Sequence, residues 1–300
     1  MPAEWLGSLR AAVSGVVLSD ASALASAGRD ASFVVGRPDA VVRPADPDDV
    51  VALVRWARTH RVALTARGGG TSLDGECVPV RGGVVVDFAG WNSIGEVDPV
   101  TRTVRVGPGV INHDLAEALR PSGWFFPPNP GSWRSSTIGG NLATNASGPR
   151  SFRYGPTRRW VHAAEVVLGT GERVVLGPST AKRAVGPELL DLVVGSEGTL
   201  ALATSVVLRL APSPARRCAV VATVPVGAPL GPVAVALTSR PTLRLAAIEY
   251  VDERVGGLLR ARPGAKLPGE GPLILLEVES DGSESEEAAL TELETVLTQS

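Results

Sequence analysis

Arg67-Gly68-Gly69-Gly70-Thr71-Ser72 is the stretch on which the reading of this 300-residue chain turns. It follows a short apolar run, Val62-Ala63-Leu64-Thr65-Ala66, with the composition of a strand. Three successive glycines expose backbone N–H groups and reach the positive-φ conformations that a tight curl needs. Inward-pointing N–H groups in such a curl form a concave nest for an anion, most often phosphate. Thr71 and Ser72 add hydroxyls able to donate to the same oxygens.

Upstream, residues 1–37 read as two short helices, and Val41-Val42-Arg43-Pro44 as a strand end. Asp46 and Pro47 supply an N-cap and a first-turn proline for a helix with Val50, Leu53, Val54 and Ala57 on one face. The glycine loop thus closes a β-α-β unit. Downstream come strands at 84–87, 93–97 and 103–106, with turn chemistry at Asp98-Pro99. A helix with Ile111, Leu115 and Leu119 follows and stops at Gly123.

A second informative stretch spans 127–148 and is dominated by small and hydroxyl residues. Within it Pro130, Gly131 and Ser132 form a turn, and Thr137 opens a short helix. Gly139, Gly140, Asn141 and Thr144 lie on that helix, and the stretch ends at Gly148. The pair Gly139-Gly140 permits close backbone approach to something flat or bulky. Residues 161–168 and 172–176 read as a hairpin across Gly169-Thr170-Gly171. A third glycine turn, Gly195-Ser196-Glu197-Gly198-Thr199-Leu200, feeds a strand carrying Val206, Leu208 and Leu210. After Pro212 and Pro214 the pattern resets, with strands at 218–224, 244–251 and 273–278. A last helix is announced by Ser283 and Glu286 as a capping box and has an apolar face of Ala289, Leu290, Leu293, Val296 and Leu297.

Composition narrows the class. A hydrophobic content of 44% is enough to build cores, and a formal charge of −2 leaves no electrostatic footprint for nucleic acid. The longest uncharged run, 218–239, contains Pro225, Pro229 and Pro232 and is no membrane span. Cys77 and Cys218 have neither metal nor redox spacing, so no metal site is expected here and the setting reads as reduced and cytoplasmic. No Gly-Lys-Ser/Thr, Gly-x-Gly-x-x-Gly or Gly-x-Ser-x-Gly pattern occurs at the glycine loops, which excludes a P-loop, a Rossmann fingerprint and a hydrolase elbow.

Taken in order, Arg67-Gly-Gly-Gly-Thr71-Ser72, Thr137-Ile-Gly-Gly-Asn141 with Thr144-Asn145-Ala146, Tyr154-Gly155 and Gly195-Ser-Glu-Gly-Thr-Leu200 resemble the flavoproteins of the vanillyl-alcohol oxidase / p-cresol methylhydroxylase (PCMH) superfamily. Within it the chain is most similar to FAD-linked D-2-hydroxyacid dehydrogenases, including the glycolate oxidase FAD subunit and D-lactate dehydrogenase. Ile248-Glu249-Tyr250-Val251-Asp252 resembles an early strand of their cap domain. Ser147 departs from the family's usual glycine, and Ala201-Leu202-Ala203 from its Gly-Ile-Ile.

The resemblance implies an α+β protein. A 1–37 helical segment precedes a PCMH-type FAD-binding domain of two α/β subdomains at 38–211, and a partial cap domain occupies 212–300. It implies FAD held by Arg67, Gly68, Gly69, Gly70, Thr71 and Ser72, by Pro130, Gly131 and Ser132, and by Thr137, Gly139, Gly140, Asn141, Thr144 and Gly148. Glu197, Gly198 and Thr199 close over it. Gly69 and Gly140 are expected where a side chain would collide with cofactor. Relatives that link FAD covalently use a histidine where Thr71 stands, so non-covalent FAD is expected.

The implied activity is oxidation of a D-2-hydroxyacid by hydride transfer to flavin N5. The alternatives are a non-catalytic FAD-binding or electron-transfer subunit and an alkyl-dihydroxyacetone-phosphate synthase-like enzyme. The implied partners are a small hydroxyacid and an electron acceptor or partner subunit, iron–sulfur-bearing in some complexes, through which the chain would lie beside a membrane. No catalytic base is named from sequence. A divalent metal enters only through a C-terminal segment that family members have after the position of Ser300. The chain is accordingly expected to be a fragment or a shortened homologue. It should oxidise hydroxyacids poorly alone, and the Leu290, Leu293 and Leu297 face should be half uncovered.

Overall fold

A computed structural model describes residues 2–178, 180, 184 and 186–299. The chain forms two compact units, one of residues 1–148 and 156–211, the other of residues 149–155 and 212–300.

Two large sheets build the first unit. Its four-stranded sheet runs in the order Val16–Leu18, Ala40–Arg43, Val84–Asp87, Leu64–Arg67. The last three strands are parallel, with Arg67 opposite Asp87. Val84, Val85 and Val86 are completely buried, as expected of a central parallel strand covered on both faces. The crossover helix Pro47–His60 starts where Asp46 accepts the Asp49 N–H at 2.9 Å and ends at Arg61 in the left-handed region. Its Val50, Leu53, Val54 and Ala57 pack on the sheet together with Leu9 and Val13. Residues 16–18, read from sequence within a helical segment, form instead the antiparallel edge strand of this sheet.

The second sheet of this unit is antiparallel and five-stranded, in the order Ile94–Asp98, Thr103–Val106, Ala201–Arg209, Val161–Leu168, Arg173–Leu176. The hairpin expected around Gly169-Thr170-Gly171 is its outer pair. Leu115, Leu119, Ile138, Val166 and Leu208 fill the core between this sheet and its helices.

The second unit has a three-stranded antiparallel sheet in the order Arg216–Thr223, Leu273–Ser280, Leu245–Val251. Helices Leu230–Thr238 and Ser283–Gln299 share a core with it through Leu237, Leu276, Val278, Leu293 and Val296. The expected half-uncovered face of the last helix is found only in part, since Leu293 is buried and Leu297 half-buried. Ala289, Leu293 and Val296 are buried, and Leu290 alone of that stripe is exposed. The expected capping box is also replaced. The helix begins at Ser283, and it is the Ser285 hydroxyl that accepts the N–H groups of Asp281 and Gly282, each at 3.1 Å.

Candidate functional site

The glycine loop, the short helix and the third glycine turn meet around a cavity of about 450 Å³ in the first unit. The strand Leu64–Arg67 ends at its mouth, and Gly70 takes φ +64°. Gly68 and Gly69 are not in the left-handed region, so the need for positive φ falls on Gly70 alone. The other two glycines answer to close approach. A Cβ on Gly68 would strike the Thr137 hydroxyl, and one on Gly69 would strike the Ser135 carbonyl. Gly69 is therefore barred from bearing a side chain by its own protein, before any cofactor is considered.

Arg67 turns beneath the loop and donates to the Arg29 carbonyl at 2.7 Å and towards Cys77 Sγ at 3.5 Å. Thr71 and Ser72 line the cavity, and Ser72 Oγ also accepts the Asp74 N–H at 3.1 Å.

The helix Ile138–Thr144 is capped by Thr137, whose hydroxyl accepts the Gly140 N–H at 3.2 Å. Gly139 sits against Pro108, where a Cβ would come within 2.7 Å of the proline ring. Gly140 is more open: a Cβ there would meet only the Thr137 hydroxyl, at 3.3 Å. Asn141 lines the cavity at 2% exposure, and its Nδ2 has no hydrogen-bond partner. The third turn is stitched to the same helix, with Gly195 N–H donating to Leu142 O at 3.0 Å and Glu197 N–H to Ala143 O at 2.8 Å. This holds Glu197 at φ +55° and aligns Ser196, whose buried Oγ also lacks a partner.

Of the residues expected at the site, Arg67 to Ser72, Ser132, Thr137, Gly139, Gly140, Asn141, Thr144, Glu197 and Gly198 line this cavity. Four expected residues do not. Pro130 and Gly131 belong to a turn in which Pro130 O accepts the Trp133 N–H at 2.9 Å. Gly148 is pressed against the Asn129 carbonyl. Thr199 faces a separate depression beside Arg58 and Arg61.

The fold also brings in Phe88, Pro108, Glu76 and Cys77, which carry no motif signal. Burial pushes the Cys77 thiol up to about 11, against the opposing pull of Arg67. It stays protonated, its Sγ directed at Asp30 Oδ2 over 3.7 Å.

These residues fit a flavin dinucleotide. Phosphate oxygens, ribityl hydroxyls and the polar edge of a flavin ring could satisfy Asn141 Nδ2 and Ser196 Oγ, whose burial without partners is otherwise costly. The loop's three glycines line the cavity with no side chains between their backbone and an anion. Phe88, Leu142 and Leu202 give an apolar bed of the kind a ring system needs.

Comparison with known proteins agrees. Residues 38–177 match the family described as FAD binding domain. Glycolate oxidase subunit GlcD of Bacillus subtilis is 42% identical over 177 residues, which is 59% of this chain and 38% of that protein. D-2-hydroxyglutarate dehydrogenase of Stutzerimonas stutzeri is 36% identical over 93% of this chain and 61% of its own length. D-lactate dehydrogenase of Anaerostipes hadrus is 39% identical over 59% of this chain and 37% of that protein. The chain thus spans between about two fifths and three fifths of these relatives. Among solved structures, alkyldihydroxyacetonephosphate synthase superposes with a TM-score of 0.83 at 22% identity, covering 99% of this chain and 59% of that one, a likeness of fold. Residues 38–177 thus match an FAD binding domain, and the chain is similar to FAD-linked hydroxyacid dehydrogenases and oxidases.

Proposed function

We propose that this chain holds FAD non-covalently in the cavity and takes part in oxidising a D-2-hydroxyacid of the glycolate, D-lactate or D-2-hydroxyglutarate class. The observation that carries the reading is the set of buried, unpartnered polar atoms, Asn141 Nδ2 and Ser196 Oγ with Glu76 Oε2, in a cavity walled by the triple-glycine loop. The names of the relatives supply the substrate class.

The backbone of 68–70 would hold the diphosphate, while Asn141 and Ser196 would hold the ribityl and ring portions. Phe88, Leu142 and Leu202 exclude water from the ring's bed. Bound FAD supplies a two-electron acceptor for the hydride leaving the substrate's α-carbon. Thr71 stands where a linking histidine would be needed, and a protonated Cys77 thiol is a poor nucleophile, so both favour a dissociable cofactor. A partner subunit or small acceptor would take up the electrons, a role supported by the word subunit in a relative's name. Among the described residues no helix is long and apolar enough to cross a membrane. A cytoplasmic setting stays part of this reading.

The test is anaerobic mixing of the FAD-loaded chain with D-lactate, glycolate or D-2-hydroxyglutarate, and with L-lactate as control. Bleaching of the yellow flavin band by a D-hydroxyacid and not by L-lactate is the expected result. Single-turnover bleaching needs no acceptor, so it reads the hydride step even if multiple turnover is slow. An FAD-loaded protein whose band is untouched by all three would contradict the substrate class.

A further inference from the structure

The motif Tyr154-Gly155 has no place in the cavity, yet it lies on a loop that begins in the cavity wall at Ala146 and is bonded back to Ala146 at its other end by Thr157. Ala146 lines the cavity, and its N–H donates to Asn141 O at 2.8 Å. Its own carbonyl accepts two bonds from Thr157, from N–H at 3.1 Å and from Oγ1 at 2.7 Å. Arg158 N–H donates to Asn145 Oδ1 at 2.8 Å beside that neck. The ten residues between leave the first unit, contribute 149–155 to the second, and return at Pro156.

The tip of this loop is held in the second unit by charges. Glu279 has a side chain with no exposure at all. Its Oε2 accepts the Tyr154 hydroxyl at 2.6 Å and lies 3.6 Å from Arg153 Nε, while Oε1 accepts Arg217 Nε at 3.1 Å. Arg150 Nε donates to the neighbouring Glu277 at 2.8 Å. A buried carboxylate is tolerated only when it is fully paired, and removing it strands its cations. Burial, and then the facing Glu279, push the Tyr154 phenol up to about 12, so it remains a donor at any working pH.

We propose that Glu279 and Tyr154 are positioning residues for the cofactor: they fix the tip of the 147–156 loop, and through its Thr157–Ala146 neck they hold Asn141 and the adjoining wall in register for FAD. A network serving only the second unit's own stability would not need to seize a loop whose two ends are bonded into the cavity wall. The proposal rests on the FAD reading above.

The test compares Tyr154→Phe, which deletes one hydroxyl and keeps the ring, with Glu279→Gln, which keeps the shape and removes the charge. Arg216→Ala serves as control, because the Arg216–Glu286 pair at 2.9 Å lies in the same unit and off the loop. FAD affinity is read by fluorescence titration, the environment of the bound flavin by visible circular dichroism, and stability by thermal unfolding. Both network variants should bind FAD about tenfold more weakly, within the usual range of coupling between sites, and shift the flavin's dichroic band. Arg216→Ala should do neither.

Network variants that lose melting temperature but keep wild-type FAD affinity and dichroism would overturn the proposal. So would an equal loss of affinity in Arg216→Ala. If Glu279→Gln fails to fold, Tyr154→Phe decides alone. Wild-type protein that binds no FAD would overturn the cofactor reading itself, and this proposal with it.

Discussion

Gly69 and Gly140 stand in the same cavity wall but lack side chains for different reasons. Gly69 abuts the Ser135 carbonyl, whereas Gly140 has only the Thr137 hydroxyl near it. Gly69→Ala should therefore cost about 1–3 kcal/mol of stability by overpacking, read from the urea midpoint. Gly140→Ala should cost little stability but weaken FAD binding about tenfold, or ~1.4 kcal/mol, because the added methyl has little but the cavity to enter. The reverse pattern in the two variants would show the cofactor lying against the loop and away from the helix. At this scale sequence disclosed that the glycines matter, and not what each one touches. Ser135 and Thr137 lie more than sixty positions beyond Gly69, so no local pattern can report that approach. Phe88 and Pro108 reach the cavity in the same way, as single residues delivered by tertiary packing.

The helix Pro47–His60 shows what one element can anchor. Asp49, in its first turn, is buried and accepts the N–H groups of Ser14 at 2.6 Å, Gly15 at 2.7 Å and Ala45 at 3.0 Å, together with the Ser14 hydroxyl. Burial alone would raise this carboxyl, but the bonds from Ala45, Ser14 and Gly15 together outweigh it and hold the pKa below its ordinary value. A depressed carboxyl lends stability that is complete above the unfolded value of about 3.9 and fades as pH falls through the lower folded value. Asp49→Asn should cost about 1–3 kcal/mol at neutral pH and flatten the acid limb of a urea-midpoint-versus-pH curve. An unchanged acid limb would assign the acid sensitivity elsewhere.

In the second unit, Leu293→Ala should cost about 2–5 kcal/mol, as for a leucine removed from a closed core. A cost under about 1 kcal/mol would mean that the last helix is loosely covered after all. Elements with their own start signals were legible in sequence: Asp46 and Thr137 each cap the helix that follows. The strand Val16–Leu18 was not, because three residues at a sheet edge carry no period. Ser283 misled because Ser285, two positions on, forms a competing set of local bonds.

For the whole molecule, the order of glycine motifs announced the FAD-binding domain because each motif sits at a boundary of a strand or helix, where sequence and structure are locally tied. The passage of 149–155 into the second unit carried no such sign. Tyr154 and Glu279 are 125 positions apart, and only the fold makes them partners. The substrate class likewise rests on relatives of which this chain spans a part, so the cofactor is the firmer ground. The most direct measurement is therefore the cofactor itself: protein purified without added flavin, or titrated with FAD, and then precipitated with acid. A yellow protein with about one FAD per chain, all of it released to the supernatant, is the expected result. A colourless protein that takes up no added FAD would contradict the assignment of the cavity, and flavin retained in the acid pellet would contradict non-covalent binding.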